Sequence, residues 1–491
     1  MRDESTDDAA LPEHLAAATT WSAMLAWWRD RDQPAVIAGT TSWSGPELLA
    51  RAAGAANHLG AITDRSGPIP ALLTSTAASF AYVIGGATSA RPLAPLGPRL
   101  TVRELAPCIE ALGADVVITE PEFEELAGAL VMPRGLRVVI VEEPSPDDGA
   151  TLDLDPTPES VAYVLHTSGT TGVPKAVAYT QGRLARRVRV NAGLCSLGPG
   201  AVYATASPFH HIAGLGNYAV AAAAGAAVVP LPRFTVESWK RLADVSVTHA
   251  LTVPTVLEIL LDAGVLSFPT LRVLQYGASP IHPDTLSRTL DSLPDVSLVN
   301  IFGQTEGSPI SCLTARDHRR IAADGRVDLL GSVGRAAPGV EAWIDAPDAD
   351  GVGEVFARAR HFFRPGPDGV LHTGDLGRLD DDGYLFLVGR RGDKIIRGGE
   401  NVYPVEVEHV LEQHPGVSEA AVIGVPDQRW GELVKAVIVP ADHANPPDPE
   451  ELRVHARAQL AGFKVPTEWK FVDALPRNSS GKLLRRLIES T

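Results

Sequence analysis

Apolar positions along the chain keep one rhythm up to about residue 335 and a different one after it. Before that point, short runs rich in β-branched and other apolar side chains recur at 137–143, 160–167, 226–231, 248–253, 271–277 and 296–303, with helix-like stretches between several of them. Such runs read as strands, and their alternation with helices predicts parallel sheets covered by helices. An early helix is announced in SWSGPELLARAAGAANHLGA, where Ser44 and Glu47 stand at capping-box spacing with Pro46 in the first turn.

From about Arg335 the texture changes to short strands separated by Asp-Gly turns, as in DGVLHTGDLGRLDDDGYLFLVGR, which predicts antiparallel hairpins closing the large unit. After Arg390 a fresh α+β pattern begins: helix 404–414, strands 417–425 and 432–440, helix 449–461, strand 467–473, then a loop and a basic helix. The boundary is placed at 391–393, dividing the chain into a large unit, 1–391, and a small one, 392–491, of ordinary domain size. No fixed-period repeat is present.

With 491 residues, 45% of them apolar and 21% charged, the chain has material for a sizeable core and is too long for one common domain. The net charge of −16 repels phosphate backbones and anionic lipid at long range, so nucleic acid is not expected as a partner. Cys108, Cys195 and Cys312 stand too far apart in the sequence for a CxxC motif or a disulfide framework, which fits a reducing cytoplasm. The polar, acidic start lacks the pattern of a signal peptide, and the apolar run 219–230, about 12 residues, is shorter than the roughly 20 that a bilayer needs. A cytoplasmic protein without membrane insertion is expected.

Of 43 basic residues only seven are lysine, so a lysine inside a glycine-rich loop marks a place where a slim, mobile ammonium is wanted. Lys175 is such a residue. In YVLHTSGTTGVPKAVAYT a strand runs into a loop where Thr167, Ser168, Thr170 and Thr171 offer hydroxyls, while Gly169 and Gly172 let backbone N–H groups approach closely. Together with the Lys175 charge this suits a polyphosphate. The Walker A spacing is absent.

TSGTTGVPK resembles the phosphate-loop signature of the adenylate-forming superfamily, which includes acyl-CoA synthetases, nonribosomal-peptide adenylation domains and luciferase-like enzymes. Further stretches similar to that family's signatures follow in its order: PFHHIAGLG (208–216), QYGASP (275–280), NIFGQTEG (300–307), LHTGDLG (371–377), GRRGDKIIRGGENVYPVEVE (389–408) and NSSGKLLRR (478–486). The resemblance covers nearly the whole chain. It implies an α/β fold with a large N-terminal domain of parallel helix-covered sheets, a β-barrel-like subdomain and a small mobile α+β C-terminal domain. It also implies ATP, Mg²⁺ and coenzyme A as cofactors.

The resemblance carries roles residue by residue. Glu306 matches the position that holds Mg²⁺, and Thr305 one that bonds the α-phosphate. Asp375 and Arg390 match ribose contacts. The adenine is expected between the Gly277–Ala278–Ser279 backbone and the Phe302 ring, beside Gly303, with Asn300 near its amine. Lys482 matches the catalytic lysine of the small domain. Arg397, Gly398 and Gly399 match the loop that lines the thiol tunnel, with Lys464 facing a pantetheine phosphate.

Two positions depart from the family pattern. Phe302 stands where tyrosine is usual, which keeps stacking and loses a hydroxyl. Gly392 stands at the hinge where Asp or Lys is common; glycine pivots freely without biasing either orientation, so thioester formation is less securely implied than adenylation.

The amino-acid-activating branch has an aspartate early in the fourth signature, and PFHHIAGLG has no acidic residue to pair an ammonium. His211 instead matches the aryl- and acyl-CoA ligases, where this position flanks the substrate carboxylate. His210, His211, Gly214, Gly216, Gly277 and Gly303 are the expected acyl-pocket residues, with room for a bulky apolar, aryl or cyclic acid. The expected function is activation of such an acid to an acyl-adenylate and transfer to CoA. An acyl-carrier-protein-loading or adenylation-only ligase stays open, as does a nucleotide-binding sensor without catalysis. The run Asp380–Asp382 reads as a hairpin turn, Trp27 and Trp28 as packing residues, and the arginines of RLARRVRV (183–190) as a solvated helix face.

Overall fold

The structure, a computed structural model, describes residues 11–132, 135–147, 149, 152–167, 175–397, 400–477 and 483–488. The strand runs of the large unit assemble into two sheets. A nine-stranded sheet is ordered Arg335–Ala336, Gly307–Leu313, Ser297–Gln304, Val273–Gly277, His249–Thr252, Val202–Thr205, Ala227–Val229, Pro34–Ala38, Thr41–Ser44. Its six central strands are parallel, with antiparallel additions at both edges. A six-stranded sheet, Arg137–Ile140, Val116–Thr119, Ile69–Leu72, Leu93–Pro95, Val161–Thr167, Lys175–Thr180, is parallel up to its closing antiparallel pair.

Helices cover these sheets as the apolar runs demand. The Gly45–Ile62 helix starts at the capping box: the Glu47 N–H donates to Ser44 Oγ at 3.4 Å and the Ser44 N–H to Glu47 Oε2 at 2.7 Å. The alanine-rich run becomes a fully buried helix, Asn217–Ala223, and the strand Ala227–Val229. Two indoles clasp that helix, Trp21 Nε1 donating to the Ala219 carbonyl and Trp28 Nε1 to that of Ala222, both at 2.8 Å. Among the described residues no helix is long and apolar enough to cross a membrane.

The arginines of 183–190 correct the sequence reading. Their helix, Gln181–Leu194, is wedged between sheets, and only Arg186 of the four is exposed. Arg183 donates to the carbonyls of Phe362 and Phe363, Arg189 to those of Leu15 and Ala18, and the buried Arg187 to Gly216 O and Asn217 Oδ1. They staple loops to the core, because backbone carbonyls replace water around each guanidinium.

The β-barrel-like part is a four-stranded antiparallel sheet, Glu341–Asp345, Gly353–Arg358, Leu371–Leu379 and Leu385–Arg390. Asp380–Asp382 lie in a turn closed by the Asp380 N–H on Tyr384 O. A separate five-stranded sheet begins at Ile395–Arg397 and pairs with Glu400–Val402 and Gly431–Pro440, the latter flanked by Val417–Asp427 and Glu468–Phe471. Period-two alternation splits its side chains: Val422, Val434, Ala436 and Ile438 pack under the helices Pro404–Glu412 and Pro449–Arg457, while Ala421, Ile423, Val437 and Val439 face Leu475 and Ile488. Tyr403 ties this unit to the four-stranded sheet, packing with Val352 and Leu376 and donating to Asp348 Oδ2 at 3.2 Å.

Candidate functional site

Both parallel sheets point their carboxyl ends at one cavity of about 1620 Å³. Its wall includes Thr74 and Arg99 beyond strands of the six-stranded sheet, and His211, Thr255, Ala278 and Glu306 beyond strands of the nine-stranded one. A crevice outside the carboxyl ends of parallel strands is where open α/β sheets bind ligands. The four-stranded sheet supplies a third side with Thr373, Gly374 and Arg390.

The Thr305–Glu306 turn is fixed from beneath. The Tyr179 hydroxyl donates to the Thr305 carbonyl at 2.7 Å, and the Phe363 and Arg364 N–H groups donate to the Glu306 carbonyl at 2.8 and 3.0 Å. Burial keeps the Tyr179 phenol protonated, and its ring packs between Tyr163 and Phe363. The Glu306 carboxylate is thereby held at the cavity, where Thr167 Oγ1 donates to Oε1 at 3.3 Å. No cluster of three potential ligating side chains exists among the described residues. One carboxylate with open coordination suits Mg²⁺, which takes one or two protein carboxylates and completes its shell with phosphate oxygens and water.

Across the cavity, Asp375 is 6% exposed and fully engaged. Arg390 Nε meets Oδ1 at 2.8 Å, the two residues facing each other across adjacent strands, and Gln304 Nε2 meets Oδ2 at 2.7 Å. At the remaining wall, the His210 and His211 rings lie 4.1 Å apart. Burial pushes His211 down to about 4, and burial with the neighbouring His211 and Arg99 pushes His210 well below its usual value, so both are neutral at pH 7.

Of the residues singled out in the sequence, Thr167, Lys175, His210, His211, Ala278, Gly303, Thr305, Glu306 and Arg390 line the cavity. Asp375 sits just behind Gln304. Gly277, Ser279 and Phe302 lie beside the wall without forming it, and Phe302 packs on Ile310 and Phe362. Asn300 is buried, opposite Tyr276 on the neighbouring strand.

Gly214 and Gly216 are off the wall, and their smallness has another cause. A Cβ on Gly214 would come 2.0 Å from the Pro208 carbonyl, and one on Gly216 2.9 Å from Ile212 Cγ1. Gly277 has φ +154°, and a Cβ there would stand 2.6 Å from the Ile301 carbonyl of the neighbouring strand. Gly214 and Gly277 serve close backbone packing, and Gly216 makes room for the Ile212 and Arg187 side chains.

Arg397 donates to the Phe463 and Val465 carbonyls, and Lys464 pairs with Glu406 at 2.7 Å; neither lines the cavity. Ser168, Gly169, Thr170, Thr171, Gly172, Gly398, Gly399 and Lys482 lie outside the described residues.

Sequence reasoning missed Gln304, Tyr179 and His166. Gln304 stands inside the GQTEG stretch, so its place was marked but its bonds were not. Tyr179 reads as an ordinary strand residue, and only the fold brings it under Thr305. His166 lines the cavity with both ring nitrogens buried and without a partner among the described residues, and burial pushes it to about 4.

Comparisons with known proteins agree on one family. The AMP-binding enzyme family model matches residues 26–364, and the AMP-binding enzyme C-terminal domain model matches 406–482. The chain is 35% identical to a fatty acid–[acyl-carrier-protein] ligase, ScoC of Streptomyces coeruleorubidus, over 83% of each chain. It is 34% identical to a feruloyl-CoA synthase of an Amycolatopsis species over 92% of this chain and 94% of that one. Among solved structures, the amide bond synthetase McbA of Marinactinospora thermotolerans superposes with a TM-score of 0.85 at 29% identity, covering 96% of this chain and 98% of that one.

Proposed function

Because this chain belongs to the AMP-binding enzymes, the adenylate-forming superfamily in its acyl-CoA synthetase branch, we propose that it is an acid–thiol ligase that activates a bulky apolar, aryl or cyclic carboxylic acid with ATP and passes the acyl group to coenzyme A. One observation carries the reading. A single cavity gathers an anchored carboxylate (Glu306), Arg390 with its buried partner Asp375 behind the wall, and an apolar end lined by neutral histidines.

In the first half-reaction a substrate carboxylate oxygen attacks the α-phosphorus of ATP, forming the acyl–phosphate anhydride bond and releasing pyrophosphate. Glu306 would hold Mg²⁺, whose chemistry is to neutralise charge on the phosphate oxygens. The Thr305 hydroxyl bonds the α-phosphate, Asp375 accepts from the ribose hydroxyls, and Lys482 stabilises the charge building between two anions. His211, uncharged, flanks the substrate carboxylate as a hydrogen-bonding wall. Phe209, Ile212, Leu231, Phe234, Val253 and Val256 supply the apolar lining for the acid.

In the second half-reaction the small domain turns about Gly392, the CoA sulfur attacks the acyl carbon, and AMP leaves with the anhydride electrons. Arg397, Gly398, Gly399 and Lys464 then serve the thiol arm. The ScoC resemblance supports a second acceptor, a carrier-protein arm bearing the same thiol chemistry.

The test is pyrophosphate and AMP release from ATP across a panel of carboxylic acids, with CoA present and absent. Acid-dependent pyrophosphate release that proceeds to acyl-CoA supports the reading. Silence across aryl, cyclic and medium-chain acids would falsify it, and adenylate accumulation despite CoA would move the acceptor to a carrier protein.

A further inference from the structure

The Gln304 amide makes two short contacts, Nε2 to the Thr373 carbonyl at 2.6 Å and Nε2 to Asp375 Oδ2 at 2.7 Å. Both partners are acceptors, so the amide must present its NH₂ face there, and its two protons are used once each. The turn it grips is fixed elsewhere as well. The Asp375 N–H donates to Thr373 Oγ1 at 3.0 Å, Thr373 Oγ1 donates to Val355 O at 2.7 Å, and the Gly374 N–H reaches Glu354 Oε1 at 3.0 Å. Arg390 holds the other carboxylate oxygen of Asp375. Arg390 and Gln304 thus each hold a different oxygen of the carboxylate, and Gln304 comes from the strand that also delivers Thr305 and Glu306.

We propose that Gln304 is a positioning residue that aims the Asp375 carboxylate at the nucleotide ribose, locking the ribose-reading turn to the strand that ends at the phosphate-reading one. The assignment rests on the reading of Asp375 as the ribose contact. Residues 304, 305 and 306 are consecutive, so any shift of the Thr305–Glu306 turn is transmitted through Gln304 to Asp375, and the ribose and α-phosphate contacts keep a fixed spacing. A methionine at this position would fill the same volume and remove the Gln304 hydrogen bond to Oδ2.

The test is calorimetric binding of AMP, 2′-deoxy-AMP and 3′-deoxy-AMP to the full chain, which needs no knowledge of the acid. Wild type is expected to favour AMP over the deoxy analogues. Gln304→Met should shrink that preference by about tenfold, the order expected for a hydrogen bond to a charged group, while weakening the deoxy analogues far less. Gln304→Glu sets two carboxylates face to face and should shrink it further at pH 8 than at pH 5. A preference unchanged in both variants, or affinity lost equally for all three nucleotides, overturns the proposal. Asp375→Ala separates the two ideas. If it leaves the preference intact, the ribose reading itself falls; if it abolishes the preference while both Gln304 variants keep it, only the role of Gln304 falls.

Discussion

Glu306 shows how one side chain is prepared for its task by the groups beneath and beside it. Its backbone is pinned by Phe363 and Arg364, its neighbour Thr305 by Tyr179, and its carboxylate faces the cavity beside Thr167. Glu306→Gln is therefore expected to leave the turn in place and raise the Mg²⁺ concentration needed for half-maximal pyrophosphate release by about tenfold or more, read from a metal titration. Glu306 and Asp375 were legible in the sequence because they stand in short stretches of distinctive composition. Gln304 and Tyr179 were not, since contacts with partners 70 or more positions away, Gln304 with Asp375 and Tyr179 with Thr305, leave no local trace.

Strands and helices were legible wherever burial on both faces wrote a continuous β-branched run; the run 271–277 became Val273–Gly277 and 296–303 became Ser297–Gln304. The Gln181–Leu194 helix was misread, because four arginines look the same whether they face water or a ring of carbonyls. Its Arg187 holds Gly216 O and Asn217 Oδ1 at the end of the turn Ile212–Gly216, directly after His210 and His211. Arg187→Met is expected to cost about 2–4 kcal/mol in a denaturant titration, as two buried acceptors lose their donor. It should also raise the KM for the acid more than that for ATP. Equal stability with unchanged KM values would show that the loop needs no such anchor.

The two units meet across a cluster of ionisable groups. Glu258 and His282 with Asp284 come from the large unit, and Glu408, His409, Glu412 and Glu419 from the small one; His282 Nε2 lies 3.9 Å from Glu412 Oε2. Burial, then Glu408, Glu419 and Glu258, pushes Glu412 up to about 8, while burial lowers both His282 and His409. The share of that rise owed to Glu258 exists only when the units are docked, so it favours the docked state in acid and is lost as pH rises through about 8. The distance between fluorophores on the two units should thus lengthen or broaden above pH 8, and Glu412→Gln should flatten that dependence. Among the described residues, chain neighbours aside, no atom lies within 4 Å of where a Gly392 Cβ would stand, so a side chain fits there. Gly392→Pro is expected to slow thioester release more than adenylation, seen as accumulated acyl-AMP in a quench experiment.

The cavity opens where three separately hydrogen-bonded sheets converge, and the described wall comes wholly from residues 73–391. A nucleotide lying across that junction bears on all three sheets at once and acts as a rivet. AMP with Mg²⁺ should accordingly raise the melting temperature in proportion to the logarithm of its concentration and slow proteolytic nicking on either side of the joint, even when no acid is offered and no turnover occurs.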